Sequence, residues 1–145
     1  MAQREKAEEE LRRLSMEMRY LEQTADALQQ RISMVNAALT DINYANMTLD
    51  GMEKEKENSE MLIPIGGSSY VKVKLADTNK VIIGMGSGVS VEKTLPEAKA
   101  TLKERLDELE KTMHAAQQQF SQVAERINSG RSRLESMLST REGKQ

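Results

Sequence analysis

Two apolar seams of matched length constrain this chain more than any other feature. In the first, an apolar residue recurs at alternating spacings of four and three residues from Ala7 to Ile42. The second seam follows the same alternation from Leu102 to Met137, interrupted only by Gly130. A period of 3.5 residues held over about five heptads is typical of helices that pair in a left-handed coiled coil. We therefore predict two long helices, each of which needs a partner along its length.

The stretch Glu60–Lys93 between the seams has a different pattern. It is rich in valine, isoleucine and glycine, and apolar and polar residues alternate with the period of two that is typical of half-buried strands. Short glycine and Asp-Thr-Asn segments separate the apolar runs, so we expect antiparallel hairpins. Pro64 predicts an edge position or an irregularity. The predicted strands are Met61–Ile65, Ser69–Leu75, Lys80–Met85 and Val89–Lys93.

The order of these segments predicts a mainly α fold with a small β block. The seams end at equal distances from the block, so the helices should fold back on each other as a long antiparallel two-helix coiled coil joined by two β-hairpins. Gly51 is a stop signal for the first helix, and Thr94 with Glu97 forms a capping box for the second. We predict a single domain, with a helix at 1–51, a charged linker at 52–59, hairpins at 60–93 and a helix at 94–142.

Both chain termini should then lie at one tip of the coiled coil, roughly 50 Å or more from the hairpins. We expect Gly130 to leave a packing gap near that tip, opposite the Leu11–Leu14 region, and to loosen the helix pair. Met16 and Leu138 lie there beside the seams and have no evident core role. Methionine adapts to partners of undefined shape. A deformable apolar binding surface is therefore predicted at the tip, although its seam residues are equally suited to closing the coiled coil.

The β block is too small to fold readily alone, because it has only about 34 residues and exposed strand edges. The third predicted strand, Lys80–Met85, is apolar on both faces and needs cover on both. We therefore expect the hairpins of several subunits to join into a shared sheet or barrel on oligomerisation.

No pattern in the sequence indicates enzyme chemistry. There is no cysteine, and the single histidine, His114, lies off the seam, so neither a metal cluster nor a catalytic triad can be assembled. The glycine-rich stretch Gly84–Gly88 precedes a strand instead of a helix and lacks the lysine of a phosphate-binding loop. We expect no enzyme activity, no cofactor and no catalytic or metal site.

Charge and hydropathy exclude two further classes of partner. No apolar run approaches the roughly 18–20 residues of a membrane span, and the first ten residues are too charged for a signal peptide. A net charge of -2 gives no electrostatic basis for nucleic-acid binding. The sequence predicts a cytoplasmic protein without membrane or nucleic-acid partners.

The order helix, two hairpins, helix resembles prefoldin subunits. Residues 62–72, which read LIPIGGSSYVK, look like the entry to the family's first hairpin. The Asp77-Thr78 turn followed by Lys80-Val81-Ile82, and then residues 86–93, GSGVSVEK, look like its second. Four strands resemble the alpha class, and archaeal alpha subunits in particular, because beta-class subunits carry a single hairpin.

This resemblance implies an ATP-independent chaperone, a holdase that captures non-native client proteins at the coiled-coil tips and delivers them to a group II chaperonin. It implies a hetero-oligomer of two alpha-class and four beta-class prefoldin subunits, joined through a β-barrel. By this analogy the oligomer contacts map onto Ile63, Ile65, Val71, Val73, Val81, Ile83, Val89 and Val91. The client contacts map onto Leu11, Leu14, Met16, Met18, Leu134, Met137 and Leu138.

A second reading remains open on the residues alone. The β block is equally suited to multimerising a structural coiled-coil adaptor, whose tips bind one specific partner. A holdase suppresses the aggregation of several unrelated proteins, whereas an adaptor affects none or one. Salt-sensitive binding to DNA or RNA would favour a nucleic-acid binder instead.

Overall fold

A computed structural model describes residues 2–143 of the chain, with side chains described for residues 2–140. Two helices enclose four strands in sequence order, and the predicted fold class is confirmed. The barrel expected on oligomerisation remains a prediction. The elements are helix α1 at Ala2–Glu53, strands β1 at Glu60–Gly66, β2 at Ser69–Lys74, β3 at Lys80–Gly86 and β4 at Val89–Thr94, and helix α2 at Leu95–Gly143.

The chain divides into two compact units. The helical unit contains the chain up to Ala37 together with the chain from Lys111 onward. The hairpin unit is Ala38–Glu110 and contains all four strands. Both helices run through both units, because each helix is continuous across the boundary.

In the helical unit the predicted seams form the helix interface. Apart from the exposed Ala7, their residues are buried or half-buried, with Leu21, Leu28 and Ala116 among the most buried. The helices run antiparallel there, since Glu10 pairs with Arg133 and, further along α1, Met18 faces Gly130.

The prediction of a packing gap at Gly130 is wrong. A β-carbon placed on Gly130 would overlap the sulfur of Met18, so the methionine side chain occupies the space that glycine leaves. Gly130 therefore contacts Met18, which is only 7% exposed, and it also lines a groove together with Leu14. A long, flexible side chain has filled the position where an empty seam was expected.

The core of the hairpin unit is small and is built mainly by the inner ends of the helices. Leu49 and Met52 of α1 pack with Leu95, Ala98 and Leu102 of α2, and Ile83 of β3 completes the cluster. We expected Gly51 to end the first helix and Met52 to lie in a solvated linker. Both expectations are wrong, because α1 continues to Glu53 and buries Met52. The sequence contained an indication that the helix continues, since Met52 follows Leu49 by three residues, a helical spacing.

The ends of both helices are held in place around this core. Thr94 caps α2, since its Oγ1 accepts the backbone N–H of Glu97 at 3.3 Å. The Lys99 ammonium binds Asp50 Oδ1 at 2.8 Å and Glu53 Oε2 at 2.6 Å, which links the last turns of α1 to the first turns of α2. The hydrogen bonds to Asp50 and then Glu53 raise the pKa of Lys99 above its ordinary value, so Lys99 is charged at neutral pH.

The strands form two separate antiparallel hairpins. Hairpin 1 pairs β1 with β2, and hairpin 2 pairs β3 with β4. β2 and β3 do not pair; the turn between them is closed by the backbone N–H of Asn79, which donates to Asp77 Oδ1 at 2.8 Å. Each hairpin has a register shift, between Pro64 and Gly66 and between Gly84 and Gly86. The irregularity predicted at Pro64 is thus confirmed.

Two-residue turns close both hairpins. The central residues are Gly67 and Ser68 in hairpin 1, and Ser87 and Gly88 in hairpin 2, all with positive φ. Positive φ at both central positions is the geometry that matches the right-handed twist of paired strands.

Candidate functional site

The surface of the hairpins is the first candidate site. Residues directly opposite each other in an antiparallel pair lie on the same face, so the register defines two faces for each hairpin. The inner face carries the side chains that reach the core of the hairpin unit. It consists of Met61, Ile63, Val71 and Val73 in hairpin 1, and of Val81, Ile83, Val91 and Lys93 in hairpin 2.

The residues expected to join subunits lie in different environments. Five of them are exposed and available to a partner: Ile63, Ile65, Val71, Val89 and Val91. Val73 and Val81 are half-buried, and Val81 packs against the core cluster. Ile83 is only 5% exposed within the single chain, so it has little surface left for a partner subunit.

The opposite, outer face was predicted only in part, since the sequence indicated that Lys80–Met85 needs cover on both faces but did not single out Leu62. The register places Glu60, Leu62, Pro64, Tyr70, Lys72 and Lys74 there in hairpin 1, and Lys80, Ile82, Gly84, Ser90, Glu92 and Thr94 in hairpin 2. Leu62 is 59% exposed and Ile82 is 73% exposed. The alternation along each strand could have identified these two residues, since an apolar residue on the polar face of a strand needs cover from outside.

Hairpin 2 is fixed to α2 by side chains. Arg105 donates to the backbone carbonyl of Gly84 at 2.8 Å, and its guanidinium also lies 3.7 Å from the sulfur of Met85. Lys93 Nζ donates to Thr101 Oγ1 at 3.1 Å. Together with the burial of Ile83 in the core, these contacts fix the position of hairpin 2 relative to α2.

The second candidate site is the apolar surface of the helical unit. Of the residues predicted to bind clients, Met16 and Leu138 are exposed, at 66% and 42%. Met18 is buried against Gly130, and the remaining residues are half-buried in the helix interface: Leu11, Leu14, Leu134 and Met137. In the single chain the apolar surface for a partner is therefore provided chiefly by Met16 and Leu138.

Charged pairs flank this surface. Glu10 binds Arg133, and Glu22 lies 4.0 Å from Arg131, so both pairs connect α1 to α2. A groove beside Gly130 is lined by Leu14 and Val123 together with charged side chains, including Glu17 and Arg126. This mainly polar lining differs from the predominantly apolar lining that is typical of a tight site for one small molecule.

Further exposed apolar residues on α1 were not predicted as functional. Tyr20 and Met34 lie in the helical unit, and Tyr44 and Met47 lie in the hairpin unit. His114 is exposed, as its position off the seam predicted.

A search for metal ligands found no site among the side chains of residues 2–140, since no three histidine, aspartate or glutamate side chains are grouped there. Within the same residues, neither helix carries an apolar stretch long and uncharged enough to cross a bilayer.

Comparison with known proteins gives a consistent result. The prefoldin subunit family model matches residues 21–138. The chain is 31% identical to prefoldin subunit alpha of Methanococcoides burtonii, over 86% of this chain and 91% of that protein. It is 34% identical to prefoldin subunit alpha of Pyrococcus horikoshii, over 88% of this chain and 84% of that protein. The predicted resemblance to alpha-class subunits is confirmed.

Solved structures share the fold at lower sequence identity. A filamentous PFD from Methanocaldococcus jannaschii matches with a TM-score of 0.64 at 20% identity, over 77% of this chain and 93% of that chain. The prefoldin beta subunit from Thermococcus strain KS-1 matches with a TM-score of 0.59 at 18% identity, over 88% and 90%. On the family match and the two alpha-subunit relatives, the chain belongs to the prefoldin family, a family of non-enzymatic chaperones.

Proposed function

We propose that this chain is a subunit of an ATP-independent holdase that captures non-native proteins at its coiled-coil tips and delivers them to a group II chaperonin. Its partners are beta-class prefoldin subunits, in a hexamer of two alpha-class and four beta-class chains. The hairpins form the assembly surface and the helical unit forms the client surface.

The observation that carries the client role is the exposure of Met16 and Leu138 in the helical unit. Both lie beside seams whose own residues are packed between the helices, so neither side chain is needed for the coiled coil. A flexible, polarisable methionine and a leucine present apolar surface without a defined shape. Such a surface suits partners that share exposed apolar segments and no common fold.

The assembly role is supported by the strands. Each hairpin is a two-stranded sheet whose outer backbone edges have no strand partner within the described residues. Isolated two-stranded sheets are marginally stable in water, and open edges favour pairing with another chain. Exposed Ile63 and Val71 are opposite each other in hairpin 1, and with Ile65, Val89 and Val91 they provide apolar surface for a shared barrel.

Holding a client in this way requires no chemical step. Each helical unit contributes a weak apolar contact, and assembly presents several such contacts to one client. Linked contacts raise the overall affinity by about 10²- to 10⁴-fold through effective concentration. Release follows when another binder competes for the same apolar segments.

The test is the combined substitution Met16→Ser and Leu138→Ser in the full chain, assembled with a beta-class subunit. We expect suppression of client aggregation to fall by about tenfold, while the mass of the assembly by light scattering is unchanged. Met34→Ser is the matched control, because Met34 is exposed on the same helix of the same unit. Equal loss of activity in the control and the double variant would contradict the assignment.

Removing the residues before Leu21 and after Ile127 is the more severe version of this test. We expect the assembly to persist and aggregation suppression to be lost. The same assay separates the adaptor hypothesis, because a holdase protects several unrelated denatured proteins whereas an adaptor protects none or one.

A further inference from the structure

The methionines of this chain differ widely in how much of their side chain is exposed. Four of them have half or more of their surface exposed: Met16, Met34, Met47 and Met85. Met18 and Met52, in contrast, are only 7% and 8% exposed. The oxidation of a methionine thioether to a sulfoxide requires that the oxidant reach the sulfur, so susceptibility follows exposure. The four exposed methionines are therefore the positions at which a peroxide reacts first.

Met16 differs from the other exposed methionines because it lies in the proposed client surface. It is 66% exposed, whereas Met18, two residues further along α1, packs against Gly130 and is almost fully buried. The two sulfurs thus lie within one turn of the same helix, one facing solvent and the other facing the helix interface. Oxidation in this turn is selective for Met16.

The surroundings of Met16 favour its oxidised form. Residues three and four apart are neighbours on the surface of a helix. Three exposed arginines of α1 are at such distances from Met16: Arg12, Arg13 and Arg19. A thioether sulfur accepts hydrogen bonds only weakly, whereas the oxygen of a sulfoxide accepts them well, and a guanidinium donates charge-assisted hydrogen bonds. Met34 has one arginine, Arg31, at such a distance.

Oxidation changes what this surface can bind. It converts a flexible apolar side chain into a polar one. A client segment that packs on the oxidised Met16 would cover the sulfoxide oxygen and withdraw it from water and from the neighbouring arginines. Burying a polar group without a compensating hydrogen bond is unfavourable, so the oxidised surface binds apolar segments more weakly.

We propose that Met16 is a site of reversible oxidation to methionine sulfoxide, and that this modification switches off client capture under peroxide stress. The proposal rests on the proposed function and adds the regulation of its client surface. In the forward step the Met16 sulfur attacks one oxygen of hydrogen peroxide, the O–O bond breaks as an S–O bond forms, and the other oxygen leaves as water after proton transfer. The sulfur loses two electrons and the peroxide gains them. In the reverse step a dithiol-dependent methionine sulfoxide reductase supplies two electrons, the oxygen leaves as water and the dithiol becomes a disulfide.

Peptide mass spectrometry tests the modification in the full chain. The chain is treated with hydrogen peroxide for increasing times, the peroxide is removed with catalase, and the addition of one oxygen atom at each methionine is followed. We expect Met16 to be oxidised about tenfold or more faster than Met18. Met52, which is equally buried in the other unit, is the second slow reference. Equal rates at Met16 and Met18 would overturn the proposal.

Aggregation suppression tests the consequence. Each oxidised chain is assembled with an untreated beta-class subunit, and we expect the wild-type chain to need about fivefold more protein for half-maximal suppression. Met16→Leu keeps an apolar side chain of similar volume without an oxidisable sulfur, so it should keep its activity after peroxide treatment. Met34→Leu is the matched control, because it removes an exposed methionine from the same helix and unit and should lose activity as the wild type does. Treatment with the reductase should restore the wild-type chain.

A second variant tests the effect of polarity without any oxidant. Met16→Gln places a polar side chain of similar length at this position, and we expect the same loss of suppression while the mass of the assembly by light scattering is unchanged. Met34→Gln is its control and should behave like the wild type.

Two results of the activity assay would overturn the proposal. A Met16→Leu chain that loses as much activity as the wild type would place the effect at another methionine. A wild-type chain that keeps its activity with Met16 fully oxidised would show that the sulfoxide does not weaken capture. An untreated chain that suppresses no aggregation would contradict the proposed function and with it the loss of capture, whereas the oxidation rates of Met16 and Met18 decide the modification site independently.

Discussion

Met18 and Gly130 pack as one unit. The glycine costs about 1 kcal/mol of helix stability relative to alanine, because the unfolded backbone at glycine is more flexible. The methionine side chain fills the space above it and is almost fully buried. The packing of Met18 between the helices therefore offsets the low helix propensity of Gly130. The effect of a substitution at either residue on stability depends on the other.

We expect Gly130→Ala to be coupled to Met18. In a Met18→Ala background, Gly130→Ala should raise the free energy of unfolding by about 1 kcal/mol, the gain in helix propensity. In the wild-type background the added β-carbon displaces the Met18 side chain, so no stabilisation is expected. Met18→Ala alone should cost about 2 kcal/mol.

The measurement is urea unfolding followed by circular dichroism, at one protein concentration for all four chains. A fixed concentration is needed because assembly changes the apparent stability. Equal stabilisation by Gly130→Ala in both backgrounds would show that Met18 does not occupy this space.

At the scale of elements, each hairpin depends on a few backbone conformations. Gly86 has a φ of 98° at the register shift of hairpin 2, a conformation that L-residues rarely adopt, and Gly66 holds the same position in hairpin 1. A β-carbon on Gly86 would meet no atom within 4 Å. Glycine is therefore required there for its backbone and not for space.

We expect Gly86→Ala to lower the stability of hairpin 2 by about 1–2 kcal/mol. Gly84→Ala is the control: it lies two residues earlier in the same strand, its φ is not positive, and its β-carbon would also meet nothing. That substitution should change stability by less than about 0.5 kcal/mol. Amide hydrogen exchange at the paired residues Ile83 and Val91 reports the difference, and equal protection in both variants would contradict it.

The elements were predictable from the sequence to within one or two residues, and the two-residue error at the end of α1 has a physical cause. Period-two alternation located β2 and β4, and apolar runs separated by glycine-rich and Asp-Thr-Asn segments located β1 and β3. Gly51 did not end α1, because burial of Met52 with Leu49, Leu95 and Ala98 outweighs the low helix propensity of one glycine. A glycine near a helix end indicates only the local helix propensity and not the packing energy with residues distant in the sequence.

At the scale of the whole molecule, the two units carry different exposed apolar residues and are expected to depend on each other for function. In the proposed function, one surface formed by Met16 and Leu138 binds a non-native segment weakly, and several such surfaces on one assembly bind it together. The proposal therefore assigns the hairpins an indirect contribution to client capture.

We expect Ile63→Ser with Val71→Ser to separate assembly from client contact. These residues oppose each other in hairpin 1 and are exposed in the single chain, so the fold should persist while the assembly is lost. The concentration of chain needed for half-maximal aggregation suppression should rise by about tenfold or more. Met47→Ser, at an exposed position on α1 in the same unit, should change neither mass nor activity. A monomeric variant with full activity would show that one surface suffices.

The candidate sites were less predictable than the fold. The seam pattern predicted which residues face the partner helix. It did not predict the exposed fraction of each side chain once the helices pair. The half-burial of Leu11, Leu14, Leu134 and Met137 depends on the register between the helices. At Gly130, Met18 lies closest, one helical turn beyond the expected Leu14, and the sequence could not give the register to better than about half a heptad. The sequence already indicated that β3 needs cover on both faces, whereas the outer-face position of Leu62 became visible only when the strand pairs were known.

The hydrogen bond from Arg105 to the backbone carbonyl of Gly84 has a consequence for how these surfaces can change. Every amino acid carries that carbonyl, so the attachment of hairpin 2 to its helix does not depend on the identity of the residue that accepts the bond. An exposed strand position such as Ile82, which takes no part in these attachments, can therefore change the partner that is recognised while hairpin 2 stays in place. Ile83 and Lys93 lack this freedom, because their own side chains hold the hairpin through the core and through Thr101.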